Sequence, residues 1–404
     1  MIDGIRSLSL ALFLFALPVK GFTQSGLWNS PEAYLGQHRP SDTPRIFAPG
    51  LLTEPGYFNF TTGRIAFSPG GKEIYYAVNT TWYSGANLKL KYFVYDQTGW
   101  KGPRLLNTHF STPTFSPDGT RLFLAGGGKA GTVWQLARMD TGWSAPVEYL
   151  HRSYAVYDFI ETRSGNRYVG SNGTWGKASD MNAWDFAVLS NTDTTIQSLG
   201  VPLNTPGFDG DFFVPADESF MVVSAKETKD MQSELYLSYR KKDGGWTNPK
   251  SLGALINDGP AHRWGQYVTP DGKYLFYTRG TSEKDCAIYW VRFDDLLERL
   301  RHTNFEPYVK TSIGDQVAQP GHSFHLKFSR DVFVDDDGNG TLKFSAALED
   351  GSPLPDWLRF RPSTRIFSGT PAGIGSYRIR LTATDNAGAA VSTDFSLRVT
   401  EPLH

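Results

Sequence analysis

Cysteine is nearly absent. Cys286 is the single copy in 404 residues, so no disulfide can close within the chain and stability has to come from packing or bound metal. Excess charge of either sign is missing too. Forty Lys and Arg stand against 41 Asp and Glu, a formal net charge of −1, with no basic tract. That sets nucleic acid aside as a partner, because neutralising phosphates takes a clustered positive surface. Beyond the N-terminus no apolar run reaches the ~20 residues of a membrane-spanning helix. The linear signatures of chemistry are missing as well: no Gly-x-Ser-x-Gly elbow, no His-Glu-x-x-His and no Gly-rich phosphate loop. Eight scattered histidines and one cysteine give no zinc-site spacing.

What is present points to β-structure. Aromatics make up 14% of the chain and glycine 41 residues, with few runs of Ala, Leu, Glu and Lys, a composition of strands and many turns. The length exceeds one ordinary core, so two domains or a large repeat fold is expected. The first 26 residues, "MIDGIRSLSLALFLFALPVKGFTQSG", place Arg6 before an apolar run over residues 8–19 and small polar residues after it. This reads as a secretory signal peptide over residues 1–24, cleaved near Thr23 or Gln24, with an uncleaved anchor as the alternative. No cysteine follows to take a lipid, so the expectation is a soluble periplasmic or secreted protein with no membrane span after cleavage.

A turn motif recurs as "AFSPGGKEIYYA" (66–77), "TFSPDGTRLFLA" (114–125), "IETRSGNRYVGS" (160–171), "FFVPADESFMVV" (212–223) and "YVTPDGKYLFYT" (267–278). Aligned on Pro69, Pro117, Arg163, Pro215 and Pro270, the copies are 48, 46, 52 and 55 residues apart. Each joins two apolar strands through a turn in which Pro presets φ and Gly tolerates φ > 0. A third strand follows, for instance "LKYFVYD" (90–96) or "ELYLSYR" (234–240). Three units then carry Trp-x-x-Pro, at Trp100/Pro103, Trp143/Pro146 and Trp246/Pro249, as an outer edge strand tolerates. Four short antiparallel strands per unit predict the blades of a β-propeller. The fifth copy runs instead into "DDLLERLR" (294–301), of helical composition, while "TPRIFAPGLL" (43–52) resembles the outer strand "GPRLL" (102–106). The N-terminal segment is therefore expected to complete the last blade and close a five-bladed ring, a sixth degenerate blade from residues 27–58 being the alternative.

The stretches "YLGQHRPSDTPRIFAPG", "LYLSYRKKDGGWTNPKSLG" and "DGKYLFYTRG…IYWVRFDDLLERL", with the repeated hairpins, resemble the bacterial TolB-type, WD-repeat-like β-propeller proteins over residues 27–305. The resemblance implies a fold more than an activity. Past residue 308 the Trp-x-x-Pro units vanish, and alternating strands such as "SFHLKF", "LKFSAAL", "SYRIRLTATD" and "STDFSLRV" describe a small β-sandwich over 308–401. The string "LPDWLRF…FSGTP…GSYRIRLTATD" resembles the dystroglycan-type cadherin-like domain. That resemblance implies calcium, with Asp335 and Asp337 at the family's acidic positions, while Asn339 and Gly340 depart from its third acid. Asp385 and Asp315 are further acids that the fold could bring to the same end. An EF-hand is excluded, since the twelfth position from Asp335 is Ala346 and strands flank the loop. A solvated acidic turn is the alternative; bound calcium would be weak, on the order of 0.1–1 mM.

Residues just before each first strand should ring one mouth of the propeller channel: Thr62 and Arg64; His109 and Thr112; Tyr157 and Asp158; Asp209 and Asp211; His262, Arg263 and Trp264. Asp209 and Asp211 with His262 and Arg263 are the candidate catalytic cluster, because carboxylates beside His and Arg can shift one another's pKa or bind a uronic acid. Arg64, His109, Tyr157, Asp158 and Trp264 are the candidate ligand-binding residues. "SNGTWGKASD" (171–180) resembles a sialidase aspartate box only faintly, without its turn Asp. The sequence thus predicts an exported binding or adhesion protein for carbohydrate or a cell-envelope protein, with a calcium-binding sandwich. A glycoside hydrolase or polysaccharide lyase working at the channel mouth is the alternative, and a structural spacer a third.

Overall fold

The computed structural model describes residues 26–54, 56–57, 63–81, 87–173, 184–189, 195–205, 209–225, 232–282 and 284–401. The expected signal peptide, Thr62 and most of the 171–180 stretch lie outside them.

Each turn repeat forms the first hairpin of a four-stranded antiparallel sheet. Sheet 1 holds Ala66–Phe67, Glu73–Val78, Lys89–Asp96 and Gly99–Asn107. Sheet 2 holds Phe110–Phe115, Arg121–Gly126, Thr132–Ala137 and Val147–His151, and sheet 3 Tyr157–Glu161, Arg167–Ser171, Asp185–Leu189 and Ile196–Ser198. Sheet 4 holds Phe212–Phe213, Phe220–Ala225, Glu234–Tyr239 and Lys250–Ser251. In sheet 5, His262–Val268, Tyr274–Gly280 and Ala287–Arg292 are joined at the edge by Arg45–Ile46 from the N-terminal segment, with Arg45 opposite Trp290 and Ile46 opposite Tyr289. The kinship of "PRIF" to "PRLL" is thus realised as an outer strand. Among the described residues, 27–54 contribute this strand and two short 3-10 turns, Leu27–Asn29 and Tyr34–Gly36, and no sheet of their own.

Burial follows strand position. Second strands such as Phe220–Ala225 are buried almost throughout, whereas the fourth strand Gly99–Asn107 is largely open to solvent. A strand covered on both faces reads as a continuous apolar run, and an edge strand does not.

Neighbouring sheets are tied in sequence. Trp143 of sheet 2 donates its indole N–H to Tyr75 Oη of sheet 1 at 2.7 Å, and Arg138 clamps Glu73 with two bonds of 2.9 and 2.7 Å. Phe123 of sheet 2 meets Phe159 of sheet 3 edge to face at 4.9 Å. Ser224 Oγ of sheet 4 donates to the Arg263 carbonyl of sheet 5 at 2.8 Å. Sheet 5 meets sheet 1 through Tyr267, whose hydroxyl accepts from Phe67 N at 3.0 Å and lies 3.1 Å from Phe67 O. A Cβ on Gly265 would collide with the carbonyl of Gly63, so only glycine permits this approach.

The tie between sheets 3 and 4 departs from the repeat. In the other units the turn closes on a glycine of positive φ, such as Gly119 (73°) and Gly272 (74°); in sheet 4 that role falls to Glu218, at φ 58°. Its carboxylate accepts from Thr162 Oγ1 at 2.7 Å, Tyr168 Oη at 2.7 Å, Asn166 Nδ2 and Ser164 Oγ, all from sheet 3. Burial opposes ionisation there, and these four donors outweigh it, holding the carboxyl below its ordinary value. A backbone conformation unfavourable to Glu is thus maintained by bonds that lock two sheets together.

The helical composition of 294–301 is realised as the helix Asp294–Arg301, whose Leu297 carbonyl accepts from Tyr239 Oη at 2.6 Å. Beyond it, the sheets Gln316–Ala318/Ala390–Val399/Gly375–Thr384/Lys343–Leu348 and Phe324–Lys327/Ile366–Gly369/Leu358–Arg361 face each other as a sandwich. Phe367 and Phe395 meet in its core at 5.5 Å.

Phe47 anchors the edge strand. It is 2% exposed and packs edge to face on Phe276 at 4.9 Å and Trp290 at 5.3 Å. Phe47→Ala is expected to cost about 3–5 kcal/mol in urea unfolding followed by tryptophan fluorescence; a loss below about 1 kcal/mol would mean the segment does not dock.

Candidate functional site

In sheets 2, 3 and 5 the pairing of first and second strands breaks at Ser111/Thr114, Tyr157/Ile160 and Trp264/Tyr267. Within these breaks Thr112, Asp158 and Gly265 take φ of 50°, 53° and 64°. A bulge re-aims the side chain it carries. In sheet 3 it brings the Asp158 carboxylate 2.9 Å from the Arg64 guanidinium, and Arg64 Nη2 also donates to the Phe212 carbonyl at 3.0 Å. One fully buried side chain thus joins the sheet 1, 3 and 4 segments of the chain. Burial raises the Asp158 carboxyl, opposed by Arg64, and Asp158 Oδ2 has no hydrogen-bond partner among the described residues.

Further along the same first strands, toward the hairpins, lies a cavity of about 280 Å³. Its walls are Phe67, Phe115, Ile160, Phe213, Phe220 and Tyr267, and all five aligned turn positions, Pro69, Pro117, Arg163, Pro215 and Pro270, line it. The repeated turn therefore does two things: it closes each hairpin and it converges with its four counterparts on one mouth. Read one by one, the wall residues look like ordinary core; the recurrence of the turn was the signal that they share a site.

The candidate catalytic residues are placed differently. Arg263 is 1% exposed; its guanidinium donates to the carbonyls of Ile256, Ser233, Ala261 and Gly259 at 2.8–3.2 Å and pairs with Asp258 at 2.8 Å. It holds the 256–261 loop in shape rather than facing Asp209. Asp211 does reach sheet 5, where Oδ2 accepts from Gly265 N at 2.8 Å. Asp209 is buried, accepting from Thr205 N and Oγ1 at 3.0–3.2 Å, and burial pushes its carboxyl up to about 7. His262 stacks on Trp264 at 4.5 Å; burial and then Arg263 hold its pKa down to about 4. Tyr157 Oη donates to the Asp209 and Gly210 carbonyls at 3.1 and 2.7 Å, and His109 is exposed. The structure groups Arg64 with Asp158, Tyr157 with Asp209, and His262 with Trp264, and it turns the Arg263 guanidinium away from the two carboxylates.

The acidic loop of the sandwich reaches the five-sheet domain. Asp336 pairs with Lys241 at 3.1 Å and accepts from Asn248 N at 2.6 Å. Asp337 accepts from Phe305 N at 2.6 Å and Asp385 from Asn304 Nδ2 at 2.7 Å. Asp335 accepts from Asp337 N at 2.8 Å, and Asn339 Oδ1 from Asp335 N at 2.7 Å. Burial, with repulsion from Asp337, Asp385 and Asp336, raises the Asp335 carboxyl. Asp315 sits elsewhere, accepting from Ser396 N, six residues beyond Ala390 and so about 20 Å along the strand. Among the described residues no group of three or more His, Cys, Asp or Glu side chains is arranged to hold a metal ion.

Residues 306–400 match the family model described as "Putative Ig domain". The C-terminal sandwich is Ig-like. None of the curated proteins matches the sequence. Among solved structures, TolB from Acinetobacter baumannii is 13% identical over 57% of this chain and 54% of its own, with a TM-score of 0.34. A "putative TolB" from Agrobacterium tumefaciens is 15% identical over 74% and 87%, at 0.31. A "putative alpha-galactosidase" from Bacteroides fragilis is 20% identical over 24% of this chain, which spans 18% of the length of that enzyme, at 0.19. Superpositions with TM-scores this low decide nothing about this chain.

Asp209 makes stability depend on pH. The folded protein keeps this proton to about pH 7, whereas an unfolded Asp releases it near 4, so the group lowers stability as pH rises through that interval. His262 acts with the opposite slope, since an unfolded His takes up a proton near 6.5 while the folded one waits until about 4. Asp209→Asn retains an acceptor for Thr205 N. It is expected to exceed the wild type by about 2–4 kcal/mol at pH 8 and to match it at pH 4 in urea unfolding; an identical difference at both pH values would contradict the assignment.

Proposed function

We propose that this chain is an exported binding protein of the cell envelope or exterior, in which the five sheets close into a five-bladed TolB-type propeller carrying an Ig-like domain. Its recognition site is the hairpin-end cavity, and its ligand an apolar or aromatic anchor of another envelope protein. The observation that carries this reading is that all five repeat units supply walls to one largely apolar cavity, rimmed by Glu161, Arg163 and Asp217, at their aligned turn positions. Phenylalanine and proline walls suit a buried hydrophobic side chain, the kind of anchor on which protein interfaces concentrate their energy. Binding is favoured over catalysis because Arg263, Asp209 and Asp211 are engaged in holding backbone.

The finer cadherin-like reading would bring calcium to Asp335, Asp337, Asn339 and Asp385. The raised Asp335 carboxyl is the kind of repulsion a cation relieves, yet as placed these side chains do not fit one: Asp337 and Asp385 would first have to release Phe305 and Asn304. The role we assign to the loop is the joint between the two domains.

Selection of displayed peptides on the whole chain tests the cavity. Selected peptides should carry an aromatic or bulky aliphatic anchor and bind Ala216→Trp, which fills the cavity from its wall, at least about tenfold more weakly, the loss of ~1.4 kcal/mol or more. Peptides that bind both proteins equally would sink the reading.

A further inference from the structure

The Ig-like domain carries a groove of about 640 Å³ in which Arg330, Lys343 and Arg365 stand around Phe333, Leu342 and Phe344. One carboxylate, Asp331, shares the lining, as do Asn339 and Ser363. The ion pairs within the domain, Arg378 with Glu349 and Arg380 with Asp394, leave all three cations out. Among the described residues two positive charges therefore remain uncompensated in this concave site, on a chain whose charge is otherwise balanced.

Arg365 is the informative member. It closes the hairpin between Leu358–Arg361 and Ile366–Gly369, its N–H donating to the Pro362 carbonyl at 3.2 Å, and its φ is 58°. Turns of this kind take Gly or Asn at such a position, so the Arg side chain sits where the backbone disfavours it. Strain of this sort collects at functional positions. Its Nε is buried and has no acceptor among the described residues, while the residue itself lines the groove.

We propose that this groove binds a strand of anionic polysaccharide, with carboxylate or sulfate groups paired to Arg330, Lys343 and Arg365 and sugar faces resting on Leu342 and Phe344. A sugar chain fits a groove that alternates cations with half-buried apolar surface. A nucleic acid would want stacking aromatics and a broader basic face. The site is separate from the hairpin-end cavity and does not depend on it.

Affinity electrophoresis of the whole chain through gels containing polygalacturonate, dextran sulfate or neutral dextran tests this at low ionic strength. The wild type should be retarded by polygalacturonate, dextran sulfate or both, and not by neutral dextran, and released as salt screens the contacts. Which polymer retards it identifies the anion. Arg365→Gly removes one cation at a position where glycine is conformationally at ease, so it should melt no lower than the wild type yet bind at least tenfold more weakly. Lys343→Gln, at an exposed site, should weaken binding in the same direction. A wild type that ignores both polyanions, variants that bind as the wild type does, or equal retardation by duplex DNA would each overturn the proposal.

Discussion

The Arg64–Asp158 pair is the constraint on which the five-sheet domain turns. Arg64 precedes sheet 1, Asp158 belongs to sheet 3 and the Phe212 carbonyl to sheet 4, so one guanidinium ties together segments nearly 150 residues apart. A charge pair removed from water is costly unless geometry and hydrogen bonds compensate, which restricts how the first strands can be arranged. Asp158 meets the requirement through a bulge that holds it at φ 53°, and Thr112 and Gly265 show the same backbone device in sheets 2 and 5.

The turn repeats converge on one cavity, and the gaps between neighbouring sheets are filled by different chemistries: an indole on a phenol at Trp143 and Tyr75, a carboxylate with four donors at Glu218, a hydroxyl on backbone at Tyr267. The Ig-like domain is joined at the periphery through carboxylates that accept from Asn248, Phe305 and Asn304. Two concave surfaces of unlike chemistry result, a largely apolar one among the hairpins and one with three cations on the sandwich.

Much of this was legible in the sequence where the physics is local. Tight turns of this kind act within four residues, so the five hairpins and their third strands could be read directly, and the outer strand of sheet 5 was recognisable by the kinship of "PRIF" to "PRLL". The third unit, without its proline, still forms its sheet because Ser164-Gly165 supplies the turn. Features set by distant partners were not legible. Arg263 lies one residue from His262, but its side chain turns toward the 256–261 loop, a choice that spacing cannot encode. The acidic loop was visible as a cluster, yet the partners of Asp336 and Asp337 lie 32 to 95 residues away in the other domain. The fourth turn reads "ADES", and nothing local in it says that Glu218 will collect four donors from sheet 3.

The central claim is that the buried pair organises the sheets, and a double-mutant cycle on Arg64→Met and Asp158→Asn measures it most directly. Asn tolerates the positive φ of Asp158, so backbone strain does not confound the comparison. Each single substitution strands a buried polar group and should cost about 3–5 kcal/mol in urea unfolding, while the double variant should recover part of that loss, a coupling of at least ~2 kcal/mol. Additive effects, with a coupling near zero, would mean that the two side chains are neighbours without being the axis of the fold.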